Sequence, residues 1–279
     1  MKIKIKSIKN KFDEEEFVKI LEEVKRETIQ VNKKTNQING ETMQDNKETN
    51  QNINFCIDFE FNGKEIGLMQ LYITKLNLIF LLNPETFSKK NKSILIDVVF
   101  LSKNKKILHG SESNDIPYIF NKLLNREPDK ILLFLNNYYD TRFICSLLSF
   151  PRCNLYQALI NCEIINDSKL VYLKNVEEKL GKIWKIKWNP ITLDYNEKLY
   201  ALYDVIFLSK LLRKQKKLCK INGLNINKLL YALRIVLLYR QNLLNHFKIK
   251  KIENVEEYFG KILDIDYLRK LRSIYLDYL

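Results

Sequence analysis

Three β-rich segments follow one another at 53–61 (INFCIDFEF), 66–74 (IGLMQLYIT) and 76–82 (LNLIFLL), with only turn-sized polar breaks between them. Such a run reads as three consecutive strands. Beyond residue 82 the chain is mostly helical in pattern. Residues 91–101 have helical spacing, 105–109 (KKILH) is a short strand, and Ser113, Asn114 or Asp115 opens a helix carrying Ile116, Ile119, Phe120 and Leu123. Residues 129–149 and 154–180 continue mostly helical. After Pro190, Asp194 is placed to cap a long helix whose apolar face includes Leu199, Leu202, Val205, Ile206 and Leu212. The rest, clearest over Leu224–Phe247, is all-helical. Together these elements put the chain in the α/β class, and no internal repeat is present.

The ends differ in character. Glu14–Glu27 places Phe17, Ile20, Leu21 and Val24 at helical spacing, a short amphipathic helix that either docks or hangs free. Residues 32–52 are almost wholly Asn, Gln, Thr, Lys and Glu, too polar to offset their ordering entropy, and read as a flexible linker. The expected organisation is therefore 1–52 helix plus linker, 53–212 main domain and 213–279 basic helical region. Glycine and proline total only twelve of 279 residues, which excludes low-complexity architectures and favours long regular elements. Five cysteines without C-x-x-C spacing read as reduced thiols, and two histidines give zinc chemistry little to build on. The N-terminus has no signal-peptide apolar region, and no apolar run reaches the roughly 18 residues of a membrane span. The expectation is an intracellular protein, cytoplasmic or nuclear, neither secreted nor in a membrane.

Asp58 and Glu60 stand one residue apart on the first strand, so both side chains leave the same face while Ile57 and Phe59 turn into the core. Taken alone, such a pair is a common surface feature. Its company changes the reading. Asp115 follows the strand that ends at His109 and Gly110, and Asp204 lies in the late helix with Tyr200 one turn before it on the same face. Ionised carboxylates brought together repel and raise each other's pKa unless cations lie between them. Oxygen ligands without histidine or thiolate select Mg²⁺ or Mn²⁺, and a two-ion site about 4 Å across suits in-line displacement at a phosphodiester. Tyr200 would orient the attacking water, because a phenol is a poor base at neutral pH.

These residues carry a family resemblance. IDFEF at 57–61 followed by GLMQ at 67–70, KILHGSESNDIPYIF at 106–120 and YALYDVIFL at 200–208 resemble, in order, the three motifs of the DEDD superfamily of 3′–5′ exonucleases. The Y-x-x-x-D form of the third places the resemblance in the tyrosine subclass, and within it the sequence is most similar to ribonuclease D and the exosome-associated nuclear exonuclease. Leu199 stands where the histidine subclass would need His. The resemblance covers about 53–212. It implies a ribonuclease H-like (DnaQ-like) fold with a mixed sheet flanked by helices, Asp58, Glu60, Asp115 and Asp204 as metal ligands, and Tyr200 as the water-positioning residue.

The second motif has a rival. NNYYD at 136–140 resembles the second motif of polymerase-type proofreading domains, which would make Asp140 the ligand. Asp115 is preferred because it directly follows a strand and opens a helix. Asp140 instead fits an Asp-Thr pair that recurs downstream in ribonuclease D-like proteins, where it would cap the next helix. His109 is a candidate substrate contact, although a histidine at a strand end more often fills a hydrogen-bonding niche. Gln70, on a strand, is expected to satisfy buried backbone groups. The family's basic and Asp-Trp pattern ahead of the third motif is degraded in KIWKIKWNPIT at 182–192.

The formal net charge is +14, and residues 205–251 hold twelve Lys and Arg without a single Asp or Glu. An acid-free run of this length points to phosphate contact, with Lys210, Arg213, Lys214, Lys216 and Lys217 as candidates. The expected function is a 3′–5′ exonuclease using two Mg²⁺ or Mn²⁺ ions on single-stranded nucleic acid, RNA by preference, releasing nucleoside 5′-monophosphates. The alternatives are a DNA-specific exonuclease and a catalytically idle nucleic-acid-binding adaptor on the same fold.

Overall fold

The computed structural model describes residues 3–38, 53–148, 150 and 152–243. Most of the expected linker and the tail beyond 243, with Lys248, Lys250 and Lys251, lie outside the described residues. The elements in chain order are β1 (Lys4–Ser7), α1 (Lys11–Ile38), β2 (Asn54–Asn62), β3 (Glu65–Ile73), β4 (Leu78–Leu82) and α2 (Lys89–Leu95), then β5 (Lys105–Leu108), α3 (Asp115–Tyr118), α4 (Pro128–Asn136), β6 (Tyr138–Asp140) and α5 (Thr141–Leu147). They end with α6 (Leu155–Asn161), α7 (Asp167–Leu180), α8 (Tyr195–Ile206), α9 (Leu208–Ile221) and α10 (Ile226–Arg240). Single π-helical turns extend α2 over Ile96–Phe100 and α3 over Ile119–Leu123. None of the described helices is long and apolar enough to cross a membrane.

The chain divides into two compact units. The first comprises Met1–Lys106, Asn136–Tyr138 and Val176–Ile206. It contains a mixed sheet in the order β1-β4-β3-β2-β5-β6, the last two represented here by Lys105–Lys106 and Tyr138. The three consecutive strands expected from the β-rich segments are β2, β3 and β4, which pair as an antiparallel meander, and β1 adds in parallel to β4. With every one of its residues buried, β4 needs cover on both faces. Helix α1 supplies part of that cover. Asn10 and Asp13 cap its first turn, Asp13 N–H donating to Asn10 Oδ1 at 3.0 Å and Lys9 N–H to Asp13 Oδ2 at 2.9 Å. Phe17, Leu21 and Val24 are buried, and the Phe17 ring meets Phe80 of β4 edge-on at 4.7 Å and Phe87 at 5.8 Å. The residues ahead of the expected domain thus contribute a strand and a docked helix to this unit.

The second unit, Ile107–Leu135, Tyr139–Asn175 and Phe207–Leu279, is helical over its described residues apart from the ends of β5 and β6. Its interior includes Cys145, Ala158, Leu159, Cys162 and Leu211, and α5 packs against α6 and α9. The long late helix expected after Asp194 is two helices, broken at Phe207.

If α1 is part of the first unit's core, Phe17→Ala creates a large cavity. We expect a loss of about 3–5 kcal/mol in urea denaturation, whereas a change below about 0.5 kcal/mol, the size of a surface effect, would show the helix to be undocked.

Candidate metal centre

Strand β2 presents Asp58 and Glu60 from one face, with a bulge immediately after Glu60. Helix α8 brings the third acid. It opens at the expected cap Asp194, which forms a reciprocal pair with Glu197, Glu197 N–H donating to Asp194 Oδ1 and Asp194 N–H to Glu197 Oε2, both at 2.8 Å. Ala201, Tyr203 and Val205 are buried as the helix packs on β2 and β3, and the next positions round the helix carry Tyr200 and Asp204. The outcome is that one ligand oxygen from each of Asp58, Glu60 and Asp204 lies within 4.8 Å of the others. The first and third motifs, about 145 positions apart, therefore meet.

The local electrostatics are unfavourable as they stand. Burial pushes Asp58 up to about 7, opposed by a hydrogen bond from Phe59 N–H. Burial, then the charges of Asp58, Glu60 and Glu177, push Asp204 well above the carboxylate range, and a hydrogen bond from Tyr200 opposes them. Asp204 Oδ2 is buried with no hydrogen-bond partner among the described residues. An orphaned carboxylate oxygen facing two further acids is costly unless a cation completes it. The donors are all oxygen, which fits a hard divalent ion.

Around the acids the fold builds a support that the sequence did not reveal. Trp188, in the degraded 182–192 stretch, is buried and stacks on Tyr200 with ring centroids 5.8 Å apart. Its peptide is gripped by Asn62 at the end of β2, Asn62 Nδ2 donating to Trp188 O and Trp188 N–H to Asn62 Oδ1, both at 2.9 Å. A side chain at Gly67 would meet Asn62 Nδ2 at 2.6 Å and Trp188 O at 2.7 Å, so the close approach requires glycine. The only sequence signals were a glycine inside a strand and a tryptophan kept in a weakened motif. Gln70 corrects an expectation. It pairs in register with Asp58 and is fully buried, yet among the described residues neither amide atom has a hydrogen-bond partner, so it does not satisfy backbone groups.

The remaining candidates lie in the second unit. Asp115 is buried at the start of α3, outside the group of three acids. Asp140 caps α5, as expected of the Asp-Thr pair. Its Oδ1 accepts from Arg142 N–H (2.8 Å), Phe143 N–H and Gly110 N–H (both 3.1 Å), and its Oδ2 from the Ser111 N–H and hydroxyl (both 3.0 Å). Thr141 donates its hydroxyl to Leu108 O, so His109 Nδ1, 2.8 Å away, is the donor to Thr141. Burial holds His109 down to about 4, leaving it neutral in its niche. Of the basic candidates, Lys214 pairs with Glu163 at 2.6 Å and Lys216 lies over the Tyr139 ring, while Lys210, Arg213 and Lys217 are exposed, as is Lys220, which was not among them. The exposed four follow the three- and four-residue spacing of one helix face.

No family model matches the sequence. A protein of Acanthamoeba polyphaga mimivirus, L533, is 31 % identical over 177 residues, 57 % of this chain and 35 % of that protein. This chain thus spans about a third of that relative's length. Among solved structures, the catalytic core of RRP6 from Trypanosoma brucei is 18 % identical with a TM-score of 0.48, covering 82 % of this chain and 49 % of that one. The exonuclease domain of Aedes aegypti Nibbler is 16 % identical with a TM-score of 0.49, covering 84 % and 98 % respectively.

Raised carboxylate pKa values bind protons in the folded state that the unfolded chain has already released. Metal-free stability should therefore fall as pH rises from about 4 towards 7 and beyond. In thermal melts, Mg²⁺ or Mn²⁺ should raise Tm more at pH 8 than at pH 5, and Asp204→Asn should abolish that difference. Equal metal effects at both pH values would contradict a cation site on these acids.

Proposed function

We propose that the chain is a metal-dependent 3′–5′ exonuclease acting on single-stranded nucleic acid, RNA by preference, and releasing nucleoside 5′-monophosphates. The observation that carries the reading is the meeting of Asp58, Glu60 and Asp204 around an orphaned carboxylate oxygen. The resemblance to ribonuclease D supplies the polarity and the RNA preference.

In this reading the three acids, with Asp115 as the expected fourth ligand, hold two Mg²⁺ or Mn²⁺ ions. Ions bound there would supply water activation and stabilisation of the leaving oxygen at a phosphodiester. The residues themselves position that chemistry. Tyr200 donates to Asp204 and fixes the carboxylate's orientation, and the Trp188 indole restrains the Tyr200 ring. Asp140 is a poor rival ligand because five donors already occupy its two oxygens. It orders the turn that leads to Asp115. The exposed stripe Lys210, Arg213, Lys217 and Lys220 suits a phosphate backbone. Retention of every motif acid and the tyrosine argues against an idle adaptor.

End-labelled single-stranded RNA and DNA with Mg²⁺ or Mn²⁺ test the reading by polarity, sugar preference and product size. Asp58→Asn and Asp204→Asn should each lower the rate by at least about a thousandfold, the loss of some 4 kcal/mol of transition-state stabilisation, while retaining binding. Full activity in either variant, or in excess chelator, overturns the assignment. Charge reversal at Lys210, Arg213 and Lys217 should weaken binding to both sugars and flatten its salt dependence; unchanged affinity would remove the stripe from the substrate path.

A further inference from the structure

Tryptophan is a side chain that folds bury deeply on average, and this chain has two. Trp188 follows the rule at 2 % exposure. Trp184, four residues earlier in the same unit as the three acids, is 78 % exposed, more than any other large hydrophobic side chain among the described residues. Among those residues its ring has no aromatic or cationic partner and its indole N–H no acceptor. The backbone beneath it is nevertheless ordered. The ring rides on a 3-10 turn, Ile183–Lys185, closed by Lys185 N–H to Lys182 O at 2.8 Å and Ile186 N–H to Ile183 O at 3.1 Å. Asn62 then fixes the chain at Trp188, which stacks on Tyr200. Four residues span at most about 14 Å, so the exposed ring is tethered close to the metal centre. Its setting is cationic. From Lys179 to Leu193 the chain carries Lys179, Lys182, Lys185 and Lys187 and no Asp or Glu. All four lysines are exposed, and none is in an ion pair among the described residues.

We propose that Trp184 is a base-stacking platform for single-stranded nucleic acid, with Lys182, Lys185 and Lys187 taking phosphates on either side of the stacked base. The proposal rests on the reading of the chain as a nuclease and assigns the platform to the strand upstream of the bond to be cut. Charge and shape select this ligand. A neutral apolar partner would match the ring and leave four cations unmatched, whereas a single strand offers flat bases to stack and a phosphate at every nucleotide. Bases stacked against one another in a duplex present no free face, so the platform favours single strands. Stacking does not read base identity, because every base has a π-face. The platform therefore tolerates any sequence, as an enzyme that consumes a strand nucleotide by nucleotide requires. The two contributions differ in their response to salt. Lysine–phosphate contacts weaken as counterions are added, while the stack itself carries no counterion release.

The test titrates the full-length chain with oligo(U) and oligo(dT) in excess chelator, so that no strand is cut. Both polymers should quench the intrinsic tryptophan emission. Trp184→Tyr, which keeps a ring to stack, should bind within about threefold of the wild type yet lose most of the quenching, since the remaining Trp188 is buried. Trp184→Ala should weaken both affinities by about fivefold to a hundredfold, the loss of one base stack, with Tm and the slope of log affinity against log salt unchanged. Lys182→Gln combined with Lys185→Gln should instead lower that slope by about 1.4, two phosphate contacts on a single strand. Unchanged affinity in Trp184→Ala, quenching that survives in Trp184→Tyr, or emission that responds to anionic phospholipid vesicles and to neither polymer would overturn the proposal. Cleavage needs metal and this titration does not. A chain that binds in this way without cutting refutes the nuclease reading alone, and one that cuts without Trp184-dependent binding refutes the platform alone.

Discussion

The first unit is organised around an interaction that opposes folding: three carboxylates held within 4.8 Å, with desolvation raising the pKa of Asp58 and Asp204 and the neighbouring acids raising Asp204 further. A chain does not gather such groups without restraint. Here β2 fixes two of them by its pleat, α8 fixes the third by its packing on β2 and β3, and the capped first turn sets where α8 begins. Asn62, Gly67 and Trp188 then stiffen the approach to Tyr200, whose hydroxyl donates to Asp204. A bound cation would turn this cluster from a liability into a stabilised centre.

The second unit solves a different problem, how to order a turn that leads to a buried acid. Asp140 and Thr141 do so as a pair. The carboxylate gathers backbone donors from the 110–111 turn and from the start of α5, while the threonine hydroxyl joins Leu108 to His109. The buried Gln215 of α9 adds a bond to Thr141 O at 2.8 Å. With five donors on the Asp140 carboxylate, this network is structural in character. Asp115 sits at the start of α3, just beyond the turn that Asp140 orders.

What could be read from the sequence came from periodicity. The pleat puts Asp58 and Glu60 on one face, the 3.6-residue turn puts Tyr200 beside Asp204, and contiguous β-rich runs marked β2, β3 and β4. What could not be read depended on contacts distant in sequence or on segments too short to carry a period. Asn62 and Trp188 are 126 positions apart, and neither residue type announces the pairing. The three-residue β6 lies within an apolar helical pattern. The short alternation at Lys4–Ser7, within an N-terminus whose only sequence reading is the lack of a signal peptide, is an edge strand with lysines that suit an edge. Gln70 looked like an ordinary backbone partner because its unsatisfied amide is visible only once β2 and β4 flank it.

The central claim is that Asp58, Glu60 and Asp204 share a divalent cation. The most direct measurement is anomalous diffraction at the manganese edge from crystals equilibrated with Mn²⁺. The account predicts an anomalous peak within bonding distance of a carboxylate oxygen from each of the three residues, including Asp204 Oδ2. Peaks confined to other acids, or none at a Mn²⁺ concentration that supports activity, would contradict it.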